Sequence, residues 1–230
     1  MIGNRRDLGG IETRDGRRIR PGCLVRSAHL AQAEAADLEG IVAVIDLRTP
    51  GERAQEADRT FDCEYLPIPV FDDVQAGISH EQGTDEWVLP DMAILYGRLV
   101  RECTGSLRKI VKAIMEHDFS RGAVLWHCTE GKDRCGITTA LVLEALGVDR
   151  EVIREDYLKT NAVNLPKAAV IRERLAATRG QEAADRVYQA YIADERYLQA
   201  AWDAMGNDYL AGSLGIGEEE IDRFQAAVLE

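Results

Sequence analysis

The apolar positions of the chain fall into two kinds of pattern, short continuous runs early and longer helical periodicities late. IVAVIDL (41–47) is a β-branched run that fits a strand buried on both faces. AVLWHC (123–128) reads the same way. CEYLPIPV (63–70) is a further extended segment, pushed toward a sheet edge or a strand end by its two prolines. Ahead of these, glycine-containing pairs at 9–10, 15–16 and 21–22 punctuate three short strand candidates, Ile11–Thr13, Arg17–Ile19 and Leu24–Val25. Leu95, Leu99, Ile110, Val111 and Ile114 predict two helices broken near Thr104-Gly105. GITTALVLEALG is apolar on nearly every side, so it predicts a core helix stopped by Gly147. Asp149 is placed to cap a helix running to about Asn161, and Pro166 to open another. The remainder to Glu230 reads as helical, interrupted near Gly180 and at GSLGIG (212–217). The polar stretch from Phe71 to Leu89 has no period, and a connection that long is either functional or poorly ordered. Strands followed by helices, with strand–helix crossovers, predict a layered α/β domain over 1–230.

Composition narrows the function classes. The 230 residues carry a net charge of −12, which argues against a basic footprint for nucleic acid or an anionic membrane, so any anionic ligand needs a local site. No apolar run reaches the length of a membrane span, and MIGNRRDLGG has no apolar core of a secretory signal. Five widely spaced cysteines suit reduced thiols in a cytoplasm, the expected location, with export left open.

One short loop concentrates chemistry. WHCTEGKDRCG (126–136) sets Cys128 and Arg134 six positions apart, between a buried strand and a buried helix. Cys-x5-Arg alone is a weak signal, but this context strengthens it. Gly131 and Gly136 let the backbone turn tightly, and such a loop can aim its N–H groups and a helix N-terminus at an anion. Arg134 can fork onto phosphate oxygens, and the same positive field favours the thiolate of Cys128. A thiolate facing a bound phosphate predicts covalent phosphoryl transfer through a cysteinyl-phosphate.

HCTEGKDRCG resembles the signature loop of the cysteine-dependent protein tyrosine phosphatase superfamily, and its GKDR core resembles the bacterial atypical tyrosine and lipid phosphatases. NRRDLGGIETRDGRRIRPGCLVRSAHL, VIDLRTPGER, EDYLKTN and DYLAGSLGIGEEEIDRF match that family in order, covering about half the chain. The resemblance implies a mainly parallel sheet of four or five strands flanked by helices, a helix-rich C-terminal half, and no metal or organic cofactor. It implies Cys128 as nucleophile and Arg134 as phosphate-binding arginine. The main chain of Thr129, Glu130, Gly131, Lys132, Asp133 and Arg134 would line the cradle, with Lys132 adding charge. In the GKDR group the loop aspartate, here Asp133, is the usual general acid; Asp72 and Asp73 compete for that role. His127 would support the loop.

Two departures from the family bear on turnover. Cys135 stands where the family usually has threonine or serine, so hydrolysis of the intermediate would be slow, and a disulfide with Cys128 on oxidation is conceivable beside simple packing. Glu130, with Asp133, offsets Lys132 and Arg134, which favours phosphotyrosine or a small monophosphate over a polyphosphoinositide. The readings carried forward are a phosphotyrosine phosphatase, a phosphoinositide phosphatase, and a phosphate-binding module with impaired turnover; a sulfurtransferase is disfavoured by Arg134. Arg26, Asp46 and Arg48 at strand ends read either as site residues or as buried ion pairs holding the sheet. Residues 166–206 either cover the site as a helical lid or form a packing layer.

Overall fold

The computed structural model describes residues 2–71 and 91–230, so Asp72 and Asp73 lie outside the described residues, as does nearly all of the polar stretch from Phe71 to Leu89. Its sheet has five strands, β1 (Arg6–Asp7), β2 (Leu24–Ser27), β3 (Ile41–Asp46), β4 (Glu64–Pro67) and β5 (Ala123–His127), in the order β1-β2-β5-β3-β4. All pairings are parallel except β1 with β2. Side chains alternate between two cores, as the period-2 geometry of strands requires. Leu24, Ala43, Ile45, Val124 and Trp126 face the larger one, with the helices, and Val25, Val44, Ala123 and Leu125 face a smaller one. β5 is buried at every position, and its C-terminal end hands the chain to the loop at 128–132. That is the end of a parallel sheet where α/β sites are built.

The helices are α1 (Pro50–Gln55), α2 (Met92–Glu102), α3 (Thr104–Met115), α4 (Asp133–Ala145), α5 (Arg150–Leu158), α6 (Asn161–Arg179), α7 (Gln181–Tyr191), α8 (Glu195–Met205) and α9 (Glu218–Val228). α2, α3, α4, α8 and α9 contribute to the larger core, whereas α6 and α7 pack chiefly on each other as a hairpin.

Several local expectations shift. Ile11–Thr13 and Arg17–Ile19 form only isolated bridges, Glu12 with Arg18 and Ile19 with Leu229. Asp149 stands at the start of α5 without a side-chain capping bond, and α5 ends at Leu158. Pro166 lies inside α6 instead of opening it. The helix starts earlier because Asn161 clamps Ala193 through both amide atoms, at 2.7 and 2.8 Å, and Asn164 Nδ2 donates to Tyr191 O at 2.9 Å. These tertiary bonds outweigh the one backbone bond that a proline removes.

Candidate active site

The loop's shape is set from outside. Thr129 O accepts from His29 N at 3.2 Å, Glu130 O from Asn4 Nδ2 at 3.3 Å, and Gly131 O from Asn4 Nδ2 at 2.8 Å and Arg26 at 2.9 Å. A peptide's C=O and N–H point in opposite directions, so carbonyls drawn outward leave the N–H groups facing inward, toward the start of α4. Arg26 is fully buried and also pairs with Asp156 at 3.0 Å, which Arg6 grips through two further bonds. Burial opposes ionisation of Asp156, but the two guanidiniums outweigh it and hold its pKa below the usual carboxylate range. Gly131 has φ +66°, and a Cβ there would lie 2.7 Å from the Ser27 and Ala28 backbone, so no other residue fits.

Inside this frame Cys128 is 2% exposed. Burial pushes its thiol pKa up, but the neighbouring Cys135 thiol and the charge of Arg134 prevail, bringing it from 9.0 to about 6. The Cys135 Sγ itself lies 3.6 Å from Ser27 O and 3.9 Å from Trp126 O. Burial, reinforced by the Cys128 thiolate, pushes Cys135 well above its ordinary value, so Cys135 stays a proton donor. Arg134 is held by Glu52: its two terminal nitrogens each donate to one Glu52 oxygen at 2.6 Å, and one of them also to Thr129 Oγ1 at 3.1 Å. Thr129 Oγ1 donates to Glu52 as well, at 2.6 Å. Burial raises the Glu52 pKa, and Arg134, Thr129 and the Thr49 amide outweigh it, lowering the pKa to about 2.

Lys132 lines the cleft, but its ammonium is turned to the end of α7. Its ammonium is 1% exposed and donates to Ala190 O and, at 3.2 Å, to Ile192 O, the carbonyls ending α7. It also lies 3.1 Å from Asp133 Oδ1. Asp133 opens α4 and accepts a 2.7 Å hydrogen bond from Tyr96 on Oδ1. Glu130 is turned to Lys167 of α6, at 2.5 Å.

The cleft is lined by Cys128, Thr129, Glu130, Lys132, Asp133, Arg134 and Glu52, with apolar walls from Phe71, Leu95, Leu99, Ala190 and Tyr191. The Arg134 guanidinium lies 5.2 Å from the Phe71 ring centre. His127, beneath the loop, has Nδ1 3.3 Å from Cys128 O and Nε2 3.0 Å from Asp58. Asp46, Asp58 and His127 bring three ligand-type atoms within 4.8 Å of one another, but Arg48 pairs with both carboxylates, at 2.8 and 2.6 Å, and supplies the cation there. Arg26, Asp46 and Arg48 thus form buried ion pairs, with Arg26 also holding the loop. Glu52, Tyr96, Asn4 and Tyr157 are the neighbours the sequence pattern left unassigned. Only Glu52 had a local signal, the capping box from Thr49 to the third residue of a helix following β3.

The profile of the tyrosine phosphatase family matches residues 1–230. A Cupriavidus necator protein provisionally named a tyrosine-protein phosphatase is 32% identical over 234 residues, covering 94% of this chain and 82% of its own. The triple specificity protein phosphatase PtpB of Mycobacterium tuberculosis is 30% identical over 255 residues, covering 92% of each. A crystal structure of P. aeruginosa TpbA in complex with phosphotyrosine overlaps 80% of this chain and 90% of its own at 18% identity, with a TM-score of 0.32, too low to carry an argument. The family match spans the whole chain and the relatives match nearly all of it: this protein belongs to the tyrosine phosphatase family and is a phosphomonoester hydrolase.

Proposed function

We propose that the chain hydrolyses phosphotyrosine through a cysteinyl-phosphate on Cys128. The Cys128 thiolate attacks phosphorus, the P–O ester bond breaks, and Asp133 gives its proton to the departing phenoxide. Water then attacks the cysteinyl-phosphate, Asp133 takes the water's proton, and inorganic phosphate and the thiolate separate. Arg134 and the main chain of Thr129–Arg134 neutralise charge on the transferring oxygens, and His127 braces the loop from below. The carrying observation is one buried sulfur brought to a pKa of about 6 beside a guanidinium, on a loop whose Thr129, Glu130 and Gly131 carbonyls are drawn outward.

Phosphotyrosine is favoured over a phosphoinositide by the walls and charges of the cleft. Phe71, Leu95, Leu99 and Tyr191 suit an aromatic ring, while both loop-side lysines are already engaged, Lys132 by α7 carbonyls and Lys167 by Glu130. Residues 1–230 act in this reading as one phosphatase domain without metal or organic cofactor. The α6–α7 hairpin, most of it within 166–206, serves as the lid, since Asn164, Ala190 and Tyr191 line the cleft. A mechanism that needs a reduced thiol favours a cytoplasmic location over an oxidising one.

The test is kcat/KM on a phosphotyrosyl peptide against a soluble short-chain phosphoinositide. At least a ten-fold preference for the peptide is expected, and a reversed preference moves the assignment to lipid headgroups. Cys135, the buried thiol beside Cys128, bears on a second reading, a phosphate-binding module with impaired turnover. Tight phosphopeptide binding without phosphate release identifies it, whereas a single burst followed by arrest means that Cys135 makes the second step limiting.

A further inference from the structure

Behind Asp133 lies a pair of tyrosines that the phosphoryl-transfer steps above do not use. Tyr96 of α2 and Tyr157 of α5 are 0% and 1% exposed, and their hydroxyl oxygens stand 2.7 Å apart. Tyr96 OH is also 2.7 Å from Asp133 Oδ1. The rings meet edge to face with centroids 6.2 Å apart, so neither hydroxyl can swing away without repacking the core.

Each hydroxyl has one hydrogen to give. A carboxylate can only accept, so the Tyr96 hydrogen goes to Asp133, and the Tyr157 hydrogen must then go to the Tyr96 oxygen. The chain cannot run backwards at equal cost. If Asp133 carried its proton on Oδ1 and gave it to Tyr96, Tyr96 would have to donate to Tyr157. The Tyr157 hydrogen would then need a new acceptor, and among the described residues its hydroxyl has no partner besides Tyr96. A buried donor left unpaired loses its hydrogen bond to water with nothing in return. Lys132 sets its ammonium 3.1 Å from the same oxygen as an ion-pair partner, and an ammonium can never accept.

We propose that Tyr157 and Tyr96 form a one-way hydroxyl relay that keeps Oδ1 of Asp133 an acceptor and so puts the transferable proton on Oδ2, the oxygen left to face the leaving group. Tyr96 and Tyr157 are positioning residues: they act through Asp133 and touch no reacting atom. Tyr157 polarises the Tyr96 O–H and strengthens its hold on the carboxylate, and its effect is therefore the smaller. Gly136 supports the arrangement, because a Cβ there would fall 2.9 Å from the Tyr157 ring, so α4 and α5 can approach only with glycine at 136.

The inference rests on Asp133 being the general acid, and its test separates the two ideas. Full-length wild type, Tyr96→Phe, Tyr157→Phe, Asp133→Asn and the Tyr96→Phe/Asp133→Asn pair are assayed on para-nitrophenyl phosphate, a good leaving group, and phenyl phosphate, a poor one. The relay predicts that Tyr96→Phe widens the ratio of the two kcat/KM values about ten-fold, part of the 10²–10⁴ an acid supplies. Tyr157→Phe should widen it two- to three-fold, and the double variant should match Asp133→Asn alone. An unchanged ratio in Tyr96→Phe alongside a widened one in Asp133→Asn overturns the relay and leaves the acid in place. An unchanged ratio in Asp133→Asn overturns both. Tyr157→Phe, one bond further from the acid, decides the matter if Tyr96→Phe does not fold.

Discussion

Helices α4 and α6 both face the Cys128 loop, yet α4 buries all its residues except Asp133 and Glu144, while α6 buries only Asn164 and Ala168 along its nineteen. On the α4 side the groups near the sulfur are held by buried or half-buried partners: Arg134 by Glu52, Gly131 by Arg26 and Asn4, Trp126 by Thr139 at 3.1 Å. On the α6–α7 side the recorded ties to the loop are lysines, Lys132 from the loop to α7 and Lys167 from α6 to Glu130. A phosphate cradle must be in place before its ligand arrives, which calls for rigid packing. A wall that a substrate must pass needs few bonds to give way, and low local stability supplies that.

The largest expected effect comes from breaking the rigid side. Gly131→Ala combines a positive φ with a clash against the Ser27 and Ala28 backbone, so a stability loss of about 4 kcal/mol or more and loss of activity are expected in denaturant unfolding and turnover. Glu52→Gln comes next. It leaves the buried Arg134 without its counter-charge, which costs about 3 kcal/mol. Added inorganic phosphate should then raise the Tm of the variant more than that of wild type; equal shifts would mean that Glu52 does not hold Arg134.

The hairpin side should respond less. Lys132→Met leaves carbonyls at the end of α7 without their donor, at about 2 kcal/mol, and amide exchange should quicken in α7 but not in α4. Lys167→Ala removes a pair whose side chains are 46% and 30% exposed, and its effect should stay within about 0.5 kcal/mol. If Lys167→Ala loosened the hairpin as much as Lys132→Met, the contrast between buried and exposed tethers would be wrong.

Cys128 supplies a pH signature. Its folded pKa lies below the unfolded one, so the folded chain binds fewer protons between about 6 and 9.0, and the contribution of this group to stability grows with pH across that window. Activity should fall as pH drops through about 6, where the thiolate is lost. Cys135→Ala removes the neighbouring thiol and should move that limb upward; a limb that stays in place would assign the depressed pKa to Arg134 alone.

Cys128, Arg134 and Asp133 were legible in the sequence because a strand, a tight loop and a helix bring them together within seven residues. Glu52 reaches Arg134 across 82 positions and Tyr157 reaches Tyr96 across 61, and no periodicity encodes a meeting made by the crossover topology. The core strands were legible because parallel strands buried on both faces read as unbroken apolar runs. The start of α6 was not, because Asn161 and Asn164 pin it through partners thirty residues on. Lys132 was read as cradle charge because its neighbours in sequence belong to the loop, while its partners lie at the end of α7.

The most direct test of the account is rapid acid quenching of the enzyme during turnover of para-nitrophenyl phosphate, followed by peptide mass analysis. A phosphate adduct on the peptide carrying Cys128, absent from Cys128→Ser together with all turnover, is the predicted result. Continued hydrolysis by Cys128→Ser, or an adduct on any other residue, would contradict it.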